Sequence, residues 1–209
     1  MLSRYPSPLL LFSIIMILLI LAVALGPAEK SLGTSVRLVY LHGAWVWTSL
    51  LGFVAAALVG MTGLIRRHDG LHRWSRAIGR TALLFWITFI PMSMAAAQFN
   101  WNGLFLVEPR WRMAFGLAVS GVLLQAGVSI MPQLHWNSLG NMGYSAAAFF
   151  LVGGVENVMH PEAAIRDSES GAIQAYFLAL LVLTLLAAWQ VARGWLLFDQ
   201  SKTPAQPAA

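Results

Sequence analysis

Residues 38–65 read LVYLHGAWVWTSLLGFVAAALVGMTGLI and contain no aspartate, glutamate, lysine or arginine. A helix needs only about 20 predominantly apolar residues to cross the hydrocarbon core of a bilayer. This segment exceeds that length and has no charge that water must solvate. It therefore predicts a membrane-spanning helix, with His42 near one of its ends.

Further apolar segments lie on both sides of this one, and polar or Gly/Pro-containing breaks separate them. With its flanks included, the set covers residues 9–25, 36–65, 77–97, 113–131, 139–159 and 172–198. We predict an all-α integral membrane protein: a single domain, residues 1–200, built as a bundle of six transmembrane helices, then a disordered tail, residues 201–209. The first segment has one alternative, a signal peptide, because Arg4 precedes it and small residues follow.

Composition supports the membrane class. The chain of 209 residues is 58% hydrophobic and 10% charged, with a mean hydropathy of +0.70, which is too apolar for a soluble domain of this size. Its formal charge of +5 is not a nucleic-acid signal, because the basic residues cluster between apolar runs. Membrane lipid is the expected partner. The absence of cysteine excludes disulfides, thiolate metal sites and covalently attached c-type haem.

The distribution of basic residues predicts the orientation. The loop expected after the second segment holds Arg66, Arg67, Arg73, Arg76 and Arg80. Cytoplasmic segments of membrane proteins carry an excess of Lys and Arg. We therefore expect this loop and both termini to be cytoplasmic, with loops 26–36, 98–112 and 160–171 outside.

Small residues repeat every four positions in two of the segments, a spacing that lets helix backbones approach closely in a membrane. In residues 36–65 they are Gly52, Ala56 and Gly60, and in residues 113–131 they are Gly116 and Ser120. Both sets predict helix-packing faces.

The expected topology separates the five histidines. His68 and His72 fall in the basic loop, where a solvated or headgroup-facing role is expected, and His135 reads as an interfacial anchor beside Trp136. His42 and His160 fall at similar depth on the outer side, in helices that run in opposite directions. Two facing imidazoles can ligate a six-coordinate haem iron. The alternative is that each is a lone interfacial histidine bonded to a neighbour.

Charged and aromatic residues accompany this pair. Glu156 precedes His160 by one helical turn and could orient its imidazole or meet Arg37 or Arg110; alternatively the helix ends early and Glu156 is in water. The outer loop, residues 98–112, contains aromatic residues such as Trp101, the carboxylate Glu108 and the arginines Arg110 and Arg112. Its flat aromatic rings could cover a porphyrin, and its arginines could pair with the propionates. An ordinary aromatic belt is the alternative for the loop.

Taken together, these segments resemble CcmC, the haem-handling protein of bacterial cytochrome c maturation, within the CcmC/CcmF/CcsA superfamily. The resemblance is carried by residues 38–42 (LVYLH) with Ala44-Trp45, by residues 157–160 (NVMH), and by the loop between them, which falls where the family has its tryptophan-rich motif. It spans nearly the whole chain. The motif is degenerate, because Leu104 and Val107 replace family tryptophans.

The resemblance implies a bacterial cytoplasmic (inner) membrane protein with a haem site that faces outward. His42 and His160 would be axial ligands of a non-covalent haem b, bound either transiently or permanently, while Trp101, Glu108 and Arg110 would match the motif's tryptophan, acidic residue and arginine. The implied function is to hold haem for cytochrome c biogenesis with other membrane proteins as partners, which is not an enzymatic activity. The alternative function is a divergent membrane subunit of a larger complex, structural or carrying a b-type haem.

Overall fold

The computed structural model describes residues 6–30, 32–155, 165 and 168–201. Within these residues the fold is helical, apart from one isolated bridge between Glu29 and Gly33. The helices are α1 Pro8–Leu25, α2 Val36–Arg66, α3 Asp69–Trp101, α4 Pro109–Ser129, α5 His135–Gly153 and α6 Gly171–Ser201. All except α5 are long and apolar enough to cross a membrane. The coarse prediction, an all-α bundle of several membrane-type helices, is therefore confirmed.

Consecutive helices alternate in direction, so the bundle has two distinct ends. We call the end that contains Val36, Trp101 and Pro109 the loop end. The opposite end contains Arg66, Asp69 and Ser201, and we call it the basic end. His42 lies toward the loop end, and Arg76 and Arg80 lie toward the basic end.

The expected basic loop is mostly helix. α2 ends at Arg66 and α3 begins at Asp69, so only Arg67 and His68 connect them, and Arg67 adopts a left-handed conformation with φ 50°. Arg73, Arg76 and Arg80 instead belong to the first three turns of α3. The prediction of a loop was wrong, because a high density of charged residues was taken to separate two helices. Spacings of three and four residues instead place these arginines along one side of a helix.

α2 is the central helix and contacts α3, α5, α6 and, less extensively, α1. Its small residues allow this. A Cβ placed on Gly52 would lie 2.8 Å from Ala82 Cβ, and one on Gly60 would lie 2.9 Å from Ser138 Cβ. The predicted packing face on α2 is therefore confirmed. On α4, a Cβ on Gly116 would meet no described atom within 4 Å, so among the described residues Gly116 does not bring a neighbouring helix close.

α5 departs most from the sequence prediction, since the expected segment 139–159 is replaced by a helix from His135 to Gly153. The helix ends at the pair Gly153-Gly154, where the Gly154 N–H donates to the Phe150 carbonyl at 3.1 Å. Its low hydropathy comes from polar residues that are buried against neighbouring helices: Asn137, Ser138, Asn141 and Ser145.

α1 packs along α6. Near the loop end the Tyr176 hydroxyl donates a hydrogen bond to the Ala22 carbonyl at 3.0 Å. Near the other end Arg193, which is buried, donates to the Pro6 carbonyl at 3.3 Å and to Gln190 Oε1 at 2.7 Å. Contacts at both ends thus fix the first helix to the last.

Candidate functional site

His42 lies in the second turn of α2 and is half-buried. One turn deeper, Trp45 stacks on Phe85 with ring centroids 4.5 Å apart and donates its indole N–H to Thr88 Oγ1 at 2.9 Å. These contacts join α2 to α3 directly beneath His42. The imidazole is therefore held on a well-anchored helix at the loop end.

Arg37 does not share a face of α2 with His42. The two residues are five positions apart, which is about 140° around a helix with 100° per residue. Arg37 Nη1 donates to the Ala24 carbonyl at 2.6 Å, on the side of α1. Together with Phe99 and Ser35, Arg37 lines a cavity of about 340 Å³ whose lining does not include His42.

The loop between α3 and α4 forms a compact turn. Trp101 is the last residue of α3, and the backbones of Asn102 and Phe105 are left-handed, with φ 52° and 48°. The Glu108 N–H donates to the Phe105 carbonyl at 2.9 Å. One contact ties this region to α2, because Asn100 Nδ2 donates to the Ser35 carbonyl at 3.3 Å. Trp101 therefore ends α3 close to the start of α2.

Glu108 and Arg110 lie farther from His42. Both are half-buried at the start of α4. Among the described residues α4 packs on α3 and α5 but not on α2. These two side chains are therefore separated from the helix that carries His42 by the width of the intervening helices.

His160 and Glu156, the other predicted site residues, lie outside the described residues. The register of α2 and α5 gives the level at which α5 ends. Phe53 packs edge-on against Tyr144 at 5.0 Å between ring centroids, and the two helices are antiparallel, so Gly153 is level with Ala44. His42 therefore lies just beyond the level at which α5 ends.

A second cluster of polar side chains, which sequence reasoning missed, lies toward the basic end. His72 Nδ1 is 2.7 Å from Ser138 Oγ, and Ser75 Oγ donates to the Ala56 carbonyl at 2.8 Å. Asn141 Nδ2 donates to the Ser75 carbonyl at 2.9 Å, and Gln125 Nε2 donates to Asn141 Oδ1 at 3.0 Å. We call these side chains the polar network; its members are His72, Ser75, Gln125, Ser138 and Asn141.

The polar network corrects the prediction for His72. Its exposed fraction is 5%, so it is neither solvated nor facing headgroups. The signal was present in the spacing, since His72, Ser75 and Gly79 recur at intervals of three and four, which places them on one helical face toward α2 and α5. His68, in contrast, is exposed beside the start of α3.

Charged residues form a third cluster at the basic end. Asp199 on α6 accepts from Arg76 Nη2 at 2.6 Å and lies 3.6 Å from Arg80 Nη1. The Arg80 guanidinium also lies over the Trp195 ring, 5.6 Å from its centroid. One carboxylate thus faces two guanidinium groups, which leaves the three side chains with a formal charge of +1.

The described residues contain no group of three or more His, Cys, Asp or Glu side chains that could hold a metal ion. No protein-family model matches the chain, and no curated protein matches it.

Proposed function

We propose that this chain is a CcmC-like membrane protein that holds haem b at its loop end, with His42 as one axial ligand, for cytochrome c biogenesis. The observation that carries the proposal is the position of His42: a half-buried imidazole in the second turn of a firmly packed helix. An imidazole nitrogen is a common protein ligand of haem iron. The role is binding and transfer of haem rather than catalysis.

The loop end fits part of such a site. Trp101 ends α3 near the start of α2 and offers a flat ring for the porphyrin. Arg110, at the start of α4, would be the cation for a haem propionate in this proposal, and Glu108 beside it would match the acidic residue of the family's motif. Arg37 fits less well, because its guanidinium is bonded to the Ala24 carbonyl on the opposite side of α2. Bound haem would supply a redox-active iron; His42 would hold that iron, and His160 would be the second ligand in this proposal.

The proposal includes six membrane crossings, with α5 as the fifth of them. α5 has 19 residues, a length of about 28 Å at 1.5 Å per residue, close to the thickness of a bilayer core. Its polar side chains face other helices rather than lipid, so its composition does not exclude a crossing. The excess of arginine at the basic end favours a cytoplasmic location for that end, in a bacterial inner membrane.

The test is an absorbance spectrum of the detergent-purified protein, oxidised and reduced, for the wild type and for His42→Ala. We expect a six-coordinate b-type spectrum in the wild type and its loss in His42→Ala, because removal of an axial imidazole leaves the iron one ligand short. Added imidazole should restore the six-coordinate bands of a folded His42→Ala variant. His135→Ala, at the opposite end of the bundle, is the matched control and should keep the spectrum.

Two results would contradict the haem proposal. One is a wild-type protein that stays spectrally silent when supplied with haem; the other is an unchanged spectrum in His42→Ala. The imidazole rescue separates loss of a ligand from misfolding, because a misfolded variant does not regain the bands.

A second candidate function, a membrane subunit of a larger complex, is favoured by the surface of the loop between α3 and α4. Four consecutive apolar side chains there are exposed: Leu104 42%, Phe105 37%, Leu106 43% and Val107 72%. Such a continuous patch is typical of a surface that meets lipid or another protein. Stable co-purification with one large assembly, reduced when Leu106 and Val107 are changed to Ser, would favour this function over the first.

A further inference from the structure

An open groove runs over α3 at the basic end. α4 and α6 both pack on α3, but among the described residues they do not pack on each other. The space between them forms a cavity of about 490 Å³. Leu84, Ile87 and Val122 line it and are themselves exposed by 41%, 37% and 47%, so its mouth opens on the apolar surface of the bundle.

The lining of this groove is polar at one end and apolar at the other. Arg80 lies two turns before Ile87 on α3, and Ser129 lies two turns after Val122 on α4, a separation of about 10 Å in each case. Because α3 and α4 are antiparallel, Arg80 and Ser129 fall at the same end, toward the basic end of the bundle. Ile87 and Val122 fall deeper in the membrane region. This is the polarity profile of an amphiphile with one headgroup.

Charge at the polar end favours an anion. Arg80 shares Asp199 with Arg76, so the three side chains carry a formal charge of +1 that a single phosphate diester would neutralise. Arg80 is also held in place by Trp195, which lines the same groove. Basic sites between helices near a membrane surface commonly bind acidic headgroups.

Two further polar atoms of the lining have no hydrogen-bond partner among the described residues. They are the indole N–H of Trp195 and Oε1 of Gln125, and both are buried. A phosphate oxygen is an acceptor for the first, and a headgroup hydroxyl is a donor for the second. Phosphatidylglycerol carries both groups.

We propose that the groove between α4 and α6 binds one anionic glycerophospholipid of the phosphatidylglycerol type from the leaflet at the basic end. Its phosphate lies at Arg80 and Trp195, its glycerol headgroup lies near Gln125 and Ser129, and one acyl chain follows Ile87 and Val122. This site is independent of the haem proposal, because it uses the opposite end of the bundle and different residues.

The experiment measures lipid retention by native mass spectrometry of the full chain in detergent, titrated with phosphatidylglycerol, phosphatidylcholine or inorganic phosphate. We expect a one-lipid complex with phosphatidylglycerol that is much weaker with phosphatidylcholine and unaffected by an excess of inorganic phosphate. Arg80→Gln should weaken phosphatidylglycerol binding about fivefold, the scale of one basic residue at a membrane surface. Arg66→Gln removes the same charge from an exposed position at the same end and should change binding little.

A second variant tests the acyl-chain half without altering charge. Val122→Trp fills the apolar part of the groove and should lower retention of phosphatidylglycerol at least as much as Arg80→Gln does. If Arg66→Gln and Arg80→Gln reduce phosphatidylglycerol retention equally, the lipid is attracted by the overall charge of the basic end, and the proposal is overturned. Equal retention of the two lipids, competition by inorganic phosphate, or full retention in Val122→Trp would overturn it as well.

Discussion

The two ends of the bundle are joined in different ways. At the basic end, the polar network links α2, α3, α4 and α5 through successive hydrogen bonds, from the Ala56 carbonyl to Ser75, Asn141 and Gln125. At the loop end, the described contacts between helices are separate from one another and include Arg37 to the Ala24 carbonyl, Asn100 to the Ser35 carbonyl and Trp45 to Thr88. We therefore expect the continuous network of the basic end to contribute more to the stability of the bundle, and the proposed ligand site lies at the end without such a network among the described residues.

The difference has a physical basis. In a membrane the hydrophobic effect does not drive helices together, so close packing of small residues and interhelical hydrogen bonds do. Both occur at the basic end, where Gly60 and Ser138 bring α2 and α5 into contact beside the network. The first two turns of α2 at the loop end carry mostly large side chains, including Tyr40 and His42, and Gly43 is their one small residue.

The strongest test of this comparison is Asn141→Leu. The Asn141 amide bonds the Ser75 carbonyl and hydroxyl and accepts from Gln125. Removal of this amide should lower the free energy of unfolding by about 3 kcal/mol, because each hydrogen bond contributes roughly 1 kcal/mol and its buried partners are left unsatisfied. We expect the temperature of thermal unfolding in detergent to fall by several degrees.

Asn137→Leu is the matched control on the same helix. Asn137 Oδ1 has no partner among the described residues, so this replacement should lower the unfolding temperature clearly less. Equal losses would show that the network does not stabilise the basic end.

A smaller loss is expected from Gly60→Ala. The added Cβ would lie 2.8 Å from Ser75 Oγ and 2.9 Å from Ser138 Cβ, so α2 must move away from both helices. Overpacking of this kind lowers the free energy of unfolding by about 1–3 kcal/mol. Gly116→Ala, where a Cβ meets nothing within 4 Å, provides the reference and should leave the unfolding temperature unchanged or slightly higher. If the two variants unfold together, close approach is not what binds α2 to α5.

The smallest effect should come from Asn100→Ala at the loop end. This change removes two hydrogen bonds of the Asn100 amide, one to the Ser35 carbonyl at 3.3 Å and one within α3 to the Ala96 carbonyl at 2.9 Å, and only the first joins two segments of the bundle. We expect the free energy of unfolding to fall by no more than about 1 kcal/mol, because a hydrogen bond contributes roughly that much and these two share one donor group; the same unfolding assay measures it. A loss as large as that of Asn141→Leu would remove the distinction between the two ends.

Part of this architecture could be predicted from the sequence. The apolar segments gave the order of the helices, because the length and polarity of each run are local properties. The α2 packing face followed from the spacing of Gly52, Ala56 and Gly60. The end of α5 was missed by six residues, since the apolar run continues past Gly153-Gly154 and the two glycines were not read as a stop.

For the candidate site, the sequence placed His42 near the end of a helix, and that position is confirmed. The pairing of His42 with His160 stays a prediction, because His160 lies outside the described residues. The shared site with Arg37 could not be judged from sequence distance alone. Two side chains five residues apart on a helix lie close together along the helix axis but point in different directions around it. The packing of α1 against α2 determines which neighbour the Arg37 side chain contacts.

By itself, the sequence determined the class of protein and the order of its helices, because hydrophobic length and charge clustering act locally along the chain. Only the tertiary structure decided which helices touch. It turned a stretch read as a basic loop into the start of α3, buried His72 against Ser138, and left the groove between α4 and α6 open. These outcomes depend on contacts between residues far apart in the chain, and a one-dimensional pattern does not specify those partners.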